Sequence, residues 1–142
     1  MFPGSSRVRR RFAVEVTELR PGASAAVAEA RADVWQASHP SGAPALILRL
    51  TLGGTVIAYT GDTAWTPAIA EAAAGADLLI AEAYYWDKPV PHHLRHADLL
   101  SHSGELTARR TVLTHMSADM LVRQERAGYE TAHDGLAFLV SP

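Results

Sequence analysis

The chain contains no cysteine, which excludes disulfide bonds and thiolate metal sites. Its net charge is only −2, so there is no strong basic field to attract nucleic acid. No apolar run approaches the roughly 18 residues that would suggest a membrane span. Glu15 and Glu18 interrupt the place where a signal-peptide core would follow the basic N-terminus. These absences favour a cytoplasmic protein that does not enter membranes.

What is present alternates between strand and helix patterns. The 142 residues, 48% apolar and 20% charged, suit about one globular domain. The segment 25–38 is rich in alanine but also holds Val27, Val34 and Trp35, and we interpret it as two-stranded. Further strands are predicted at 11–19, 43–52, 55–60, 76–85, 110–115 and 136–141. Helices are predicted from the cap Thr66 to the stop at Gly75, over 96–109, and over 117–128 with Ser117 as its cap.

Three polar residues follow predicted strands. Asp62 comes after the apolar run 56–59, His39 follows the segment 25–38, and His115 ends the segment 110–115. Ligands gather where strands end and loops begin, and histidine and aspartate suit zinc, manganese or iron. A carboxylate at the end of a buried strand is costly unless it is paired or bound to a metal. The alternative is a capping aspartate and two hydrogen-bonded loop histidines, because the spacings form no local motif.

Three segments, taken in order, resemble a known family. They are "VIAYTGDT" (56–63), "GADLLIAEAYYW" (75–86) and "RRTVLTHMS" (109–117). Together they resemble the C-terminal half of the metallo-β-lactamase fold, and most of all its ribonuclease Z-like branch and related bacterial metallo-hydrolases. The resemblance covers about residues 12–140. It implies an α+β fold of the α/β type, forming the C-terminal half of an αβ/βα sandwich.

The same resemblance implies a metal centre. The family's "SGDT" aspartate bridges two metal ions, and Asp62 occupies that place. His115 matches a terminal ligand of one ion, and His39 matches a ligand of the other. The implied cofactors are two divalent ions, with zinc favoured and manganese or iron as alternatives. Such a pair of ions lowers the pKa of a bound water to about 7, which provides a nucleophile at neutral pH.

The family's main metal motif, His-x-His-x-Asp-His, does not occur in this sequence. In the family that motif belongs to the N-terminal half of the fold. We therefore expect residues 1–142 to form a single partial domain that lacks the N-terminal half, supplies only part of the ligand set and is inactive by itself. Codons upstream of Met1 that encode the motif in frame would support this interpretation.

Further residues are candidates for the reaction itself. Glu82 matches a family glutamate, and we interpret it either as the partner of a catalytic histidine or as a paired structural carboxylate. His93 matches a family histidine thought to protonate the leaving oxygen, a role that suits a pKa near 6.5. His96 is its competitor for that role. The remaining histidines are interpreted as surface or helix residues: His92, His102 and His133.

The activity implied for the parent protein is metal-dependent hydrolysis. A phosphodiester substrate, either a small molecule or a nucleic acid, is favoured because two ions can stabilise both the attacking and the leaving oxygen. Lactams, thioesters or lactones are alternatives from other branches of the family. The second hypothesis is a non-catalytic half-domain that binds no metal. The segment "AYYWDKP" (83–89) is interpreted either as a wall of the substrate pocket or as core.

Half of a two-sheet sandwich would leave one face of its sheet uncovered. A large exposed apolar patch favours association, so we expect a homo-oligomer. The residues predicted for this face are Ile47, Leu50, Ile57, Leu79 and Ile80.

Overall fold

The computed structural model describes residues 11–13, 16–137 and 139–141. They form one seven-stranded sheet in which the spatial order of the strands follows their order in the chain. The strands are β1 (Ser24–Val27), β2 (Ala30–Gln36), β3 (Leu46–Leu52), β4 (Thr55–Tyr59), β5 (Leu78–Glu82), β6 (Thr111–Thr114) and β7 (Glu130–Thr131). The helices are α1 (Pro67–Ala73), α2 (His96–Ser101), α3 (Ala118–Leu121) and a 3-10 helix at Gln124–Arg126. The predicted fold class is confirmed.

The sheet has an antiparallel half and a parallel half that meet at β4. Strands β1 to β4 pair antiparallel, whereas β4, β5, β6 and β7 pair parallel. Because β2 and β4 both run antiparallel to β3, they point in the same direction as β5 and β6. The C-terminal ends of these four strands therefore meet at one edge of the sheet, which is where ligands gather in helix-flanked sheets.

Short hairpins build the antiparallel half. The segment 25–38 contains most of β1, a turn and all of β2, so its predicted two-stranded character is confirmed. The turn between β3 and β4 is Gly53-Gly54, with φ angles of 56° and 89°. Positive φ at both central residues is what a tight hairpin turn needs, and glycine adopts it without steric cost.

Helix α1 covers one face of the antiparallel half. The Thr66 side chain accepts a hydrogen bond from the Ala68 N–H at 3.3 Å, and Pro67 begins the helix, as predicted. At the other end, Arg49 of β3 donates to the carbonyls of Ala72 and Ala74 at 2.7 and 2.8 Å. A cation on the last carbonyls of a helix stabilises its C-terminus. The helix is thereby fixed to β3 at its far end.

The two faces of the sheet differ in burial. On the helix-covered face, apolar side chains from β3, β4, β5 and β6 form the main core with Ile69 of α1. The prediction that Ile47 and Leu79 lie on an uncovered face is wrong, because alternation along each strand points them into this core, where each is 1% exposed. On the opposite face Leu50 and Leu52 are 37% and 52% exposed.

Two predicted helices are shorter than expected. Helix α2 ends at Ser101 and is followed by a turn that includes Gly104, a poor helix former. The predicted helix at 117–128 breaks into α3 and the 3-10 helix. The Arg123 side chain donates a hydrogen bond to the Asp119 carbonyl at 2.8 Å. The Arg123 backbone N–H donates to the Met120 carbonyl at 3.0 Å, so the α-helical hydrogen-bond pattern does not continue.

Two predicted strands are not formed. Residues 11–13 and 16–19 are not in a strand, and residues 14 and 15 of that prediction lie outside the described residues. At the other end, 136–137 and 139–141 are irregular, and position 138 is likewise outside the described residues. The last strand is instead β7, earlier in the chain, which pairs with β6 through Val112–Glu130 and Leu113–Thr131. Across the described residues, no helix has the length and apolar character needed to cross a bilayer.

Candidate metal centre

Four side chains meet at the edge where the parallel strands end. They are Asp62, Glu82, His93 and His115, and one potential ligand atom from each lies within 4.8 Å of all the others. Asp62 follows β4, Glu82 ends β5, His115 follows β6, and His93 lies in the loop before α2. The convergence follows directly from parallel pairing, because β4, β5 and β6 end side by side.

Asp62 and His115 form the open part of this group. The distance from Asp62 Oδ1 to His115 Nδ1 is 2.7 Å, and their side chains are 38% and 41% exposed. Asp62 is therefore not the buried carboxylate that its position after an apolar strand suggests, because the loop after β4 carries it out of the sheet. His115 has a φ of 52°, a left-handed conformation uncommon outside glycine.

Gly61 sets the course of the Asp62 loop. Its φ is 58°, and a Cβ at this position would lie 3.2 Å from the Leu46 carbonyl oxygen at the start of β3. Any larger residue would meet both a strained backbone and a close contact. Glycine at position 61 therefore shapes the turn that carries Asp62.

Glu82 is the buried centre of the group. Its side chain is 1% exposed, and its Oε2 accepts hydrogen bonds from the N–H groups of Thr63 at 3.0 Å and Leu94 at 3.2 Å. Its Oε1 is hydrogen-bonded to Nδ1 of His93 and lies 3.8 Å from Nδ1 of His115. Both oxygens are occupied by the protein, so Glu82 ties together the loops that carry Asp62 and His93.

Thr63 connects the site to the loop of His39. Its hydroxyl accepts from the Ser38 N–H at 2.8 Å and donates to the Ala64 carbonyl at 2.7 Å. The Ala64 N–H in turn donates to the Ser38 carbonyl at 3.1 Å. These bonds hold the residue before His39 against the residues after Asp62.

The His39 imidazole lies beside the group of four rather than within it. Its ring centroid is 5.1 Å from that of His93 and 6.3 Å from that of His92, in edge-on contacts. Among the predicted metal ligands, Asp62 and His115 are thus in direct contact, whereas the His39 ring contacts His93. The assignment of His39 to the second ion stays a prediction.

The other histidines lie apart from the four ligand atoms. His96 is buried, stacks on Trp86 at 4.1 Å and is hydrogen-bonded through Nε2 to the Ala127 carbonyl at 2.7 Å. His102 pairs with Glu105 at 2.6 Å on the surface. The geometry therefore favours His93 over His96 as the proton donor, although the role itself stays a prediction.

The two carboxylates of the group affect Tyr59. Burial raises the pKa of Tyr59, and the negative charges of Asp62 and Glu82 raise it further. Two carboxylates beside two imidazoles are a donor set that suits a divalent transition metal. Asp62 and His115 fit this use best, because their side chains are partly exposed and lie in contact. The interior carboxylate is satisfied by the protein.

A family model described as a beta-lactamase superfamily domain matches residues 2–116. The chain belongs to this superfamily. No curated protein matches it.

Solved structures support the same fold. The chain resembles the metallo-β-lactamase fold protein YhfI from Bacillus subtilis with a TM-score of 0.74 and 17% identity, over 95% of this chain and 60% of that one. Human tRNase Z, short form, matches with a TM-score of 0.62 and 21% sequence identity, over 82% of this chain and 46% of that one. A diphosphatase from the PhnP family matches with a TM-score of 0.65 and 25% sequence identity, over 86% of this chain and 47% of that one. The chain thus spans about half the length of these proteins, and its predicted resemblance to the metallo-β-lactamase fold is confirmed.

Some of the site could not be found by sequence reasoning. The Leu94 N–H bond to Glu82 and the Ser38–Ala64 bridge join residues far apart in the chain through backbone groups. Backbone donors leave no trace in residue identity, so no sequence signal pointed to them. The contacts of Tyr84 with two imidazoles had a weak signal in the aromatic run that follows Glu82.

Proposed function

We propose that this chain provides part of the active site of a metal-dependent phosphoesterase, with phosphodiesters as the favoured substrates. The observation that carries the proposal is the convergence of four potential ligand atoms within 4.8 Å at the ends of three parallel strands. Superfamily membership and the likeness to a tRNase Z and to a PhnP-family diphosphatase support the choice of phosphoesters.

Asp62 and His115 would hold the metal, with zinc favoured and manganese or iron as alternatives. Bound divalent ions would supply Lewis-acid stabilisation of charge on the phosphate oxygens. Asp62 Oδ1 and His115 Nδ1 are hydrogen-bonded to each other at 2.7 Å, and they would give up this contact to hold an ion. In this proposal Asp62 would help to hold both ions, and His39 would help to hold the second.

Glu82 and His93 would form the acid of the reaction. Glu82 occupies Nδ1 of His93, so Nε2 is the nitrogen left to carry a proton toward a leaving oxygen. Because its other oxygen accepts from two backbone N–H groups, Glu82 is held rigidly and fixes the imidazole it binds. In this assignment Glu82 orients His93 and does not hold the metal.

The substitution Asp62→Asn tests the metal role. An amide offers one neutral oxygen in place of a charged pair, so cobalt or zinc affinity should fall at least about tenfold, measured by calorimetry or by cobalt absorption. Because Asp62 is half-exposed, the melting temperature of the metal-free chain should stay the same. His133→Gln, an exposed histidine outside the group of four, is the matched control. Equal metal affinity in Asp62→Asn and in the wild-type chain would refute the proposal.

The substitution His93→Gln tests the acid. Glutamine can still hydrogen-bond to Glu82 but cannot deliver a proton. Metal affinity should therefore stay close to that of the wild-type protein, while hydrolysis of a nitrophenyl phosphodiester by the metal-loaded full-length parent protein should fall by about two orders of magnitude or more. A parallel loss of metal would make His93 a ligand and not the acid.

A further inference from the structure

We propose that Tyr84 is a positioning residue of the centre: its ring sets the mutual orientation of the His93 and His115 imidazoles. The inference rests on the proposed function, since both histidines belong to that site. Tyr84 itself has no assigned role in the proposed chemistry.

The aromatic contacts of Tyr84 are the first support. Its ring stacks on His93 with centroids 4.9 Å apart and an interplanar angle of 26°. The same ring meets His115 edge to face at 5.3 Å and 77°. The two imidazoles are 5.5 Å apart and also edge to face. Three rings thus form a mutual contact in which Tyr84 touches both histidines by favoured aromatic geometries.

The main chain of Tyr84 is the second support. Its N–H donates to the Leu94 carbonyl at 2.8 Å, and its carbonyl accepts from the Ser117 N–H at 2.9 Å. Leu94 directly follows His93, and Ser117 lies two residues after His115. Tyr84 is therefore bonded through its backbone to both segments whose side chains its ring contacts.

The histidines need this restraint because each is held mainly through one nitrogen. His93 is bonded at Nδ1 to Glu82, and His115 at Nδ1 to Asp62. An imidazole held at one atom can still rotate about that bond, and rotation would displace the opposite nitrogen. A ring packed against its face removes that freedom, which is what pre-organisation of a site requires.

Tyr85 provides a matched control within the same segment. Its ring meets Tyr84 at 4.8 Å, and the Lys88 ammonium lies 5.1 Å from its centroid. Its aromatic partners among the described residues do not include His93 or His115. The same substitution at 84 and at 85 thus separates an effect on the imidazoles from a general loss of aromatic packing.

The test compares Tyr84→Leu, Tyr84→Phe and Tyr85→Leu with the wild-type chain. In metal-free protein, NMR signals of the His93 ring protons should move downfield in Tyr84→Leu, because the shielding from the stacked ring is lost. They should stay in place in Tyr84→Phe and Tyr85→Leu. Cobalt affinity should fall about tenfold in Tyr84→Leu and be restored by Tyr84→Phe, as for residues that orient ligands.

The outcomes separate this inference from the proposed function. If the wild-type chain binds no cobalt, the proposed function fails, and the NMR shifts alone decide whether Tyr84 orders the imidazoles. If the wild-type chain binds cobalt and Tyr84→Leu binds it equally well with unmoved His93 signals, the role of Tyr84 is overturned. Equal effects of Tyr84→Leu and Tyr85→Leu would also overturn it.

Discussion

The antiparallel and parallel halves of the sheet are built from similar apolar strands but are used differently. In the antiparallel half, short hairpins leave Leu50 and Leu52 substantially exposed on one face. In the parallel half, β5 is buried along most of its length, and its last residue is the interior carboxylate Glu82. The first half exposes apolar side chains on one face, and the second brings the four candidate ligands together at its edge.

The difference follows from how each half is connected. Hairpins reverse direction within a few residues, so neighbouring strand ends lie at opposite edges of the sheet. Parallel strands require crossovers, and every crossover begins at the same edge. Loops that carry Asp62, His93 and His115 are therefore brought together by the parallel half alone. Only His39, after β2, reaches that edge from the antiparallel half.

The largest expected contrast is in the core. Leu79→Ala, in β5, should lower the free energy of unfolding by about 3 kcal/mol, because it leaves a cavity in the helix-covered core. Leu52→Ala, in β3, should cost less than about 1 kcal/mol because the side chain is half in solvent. Denaturant melts of both variants measure the contrast. Equal losses would mean that the exposed face is covered in solution.

Glu82 sharpens the contrast between the interior and the edge of the parallel half. Glu82→Ala should cost about 2 kcal/mol of stability, because the N–H groups of Thr63 and Leu94 lose a buried acceptor. Glu82→Gln, which keeps one acceptor oxygen, should cost less. Thermal melts in the absence of metal measure both changes. A neutral Glu82→Ala would show that water replaces the carboxylate.

Asp98 tests the segment that follows His93. Burial alone would raise its pKa, but hydrogen bonds from the Arg95 side chain and backbone outweigh it and hold the pKa below its ordinary value. A lowered pKa stabilises the fold above the unfolded value of about 3.9, and this contribution disappears as the pH falls through the folded pKa. Asp98→Asn should cost about 1 kcal/mol at neutral pH.

The difference between Asp98→Asn and the wild-type chain should therefore begin to shrink once the pH falls below about 3.9, and melts at pH 7 and pH 3 measure it. A difference that persists unchanged at pH 3 would mean that the charge of Asp98 is not what stabilises the start of α2. Asp134→Asn, at an exposed aspartate outside α2, is the control and should leave the melting temperature unchanged at both pH values.

The smallest expected effect on stability concerns the exposed face of the antiparallel half. Leu50→Lys should change stability little, because the side chain is already partly in solvent. If this face mediates the predicted self-association, the same change should lower the mass measured by light scattering. A monomeric wild-type chain would remove the reason for that prediction.

Sequence patterns located most of the sheet because alternation and turn residues act locally. The Gly53-Gly54 hairpin and the Thr66 cap were predicted for this reason. Asp62 and His115 were predicted as candidate ligands because each belongs to a motif that follows a strand. The early end of the helix after Ser117 was not predicted, because the Arg123 side chain competes for a backbone carbonyl. The contact of the His39 ring with His93 depends on the paths of two loops, which residue spacing does not encode.

The sequential order of the strands also has a kinetic consequence. Contacts in β1 to β4 are close in sequence, whereas β5 and β6 pair across the intervening crossovers and must close much longer loops. We expect the hairpin half to become protected from hydrogen exchange first during refolding, and the strands ending near Glu82 and His115 last. The edge that holds the candidate ligands would then be the last part of the molecule to form, so a metal ion that binds there would speed no refolding step before the final one.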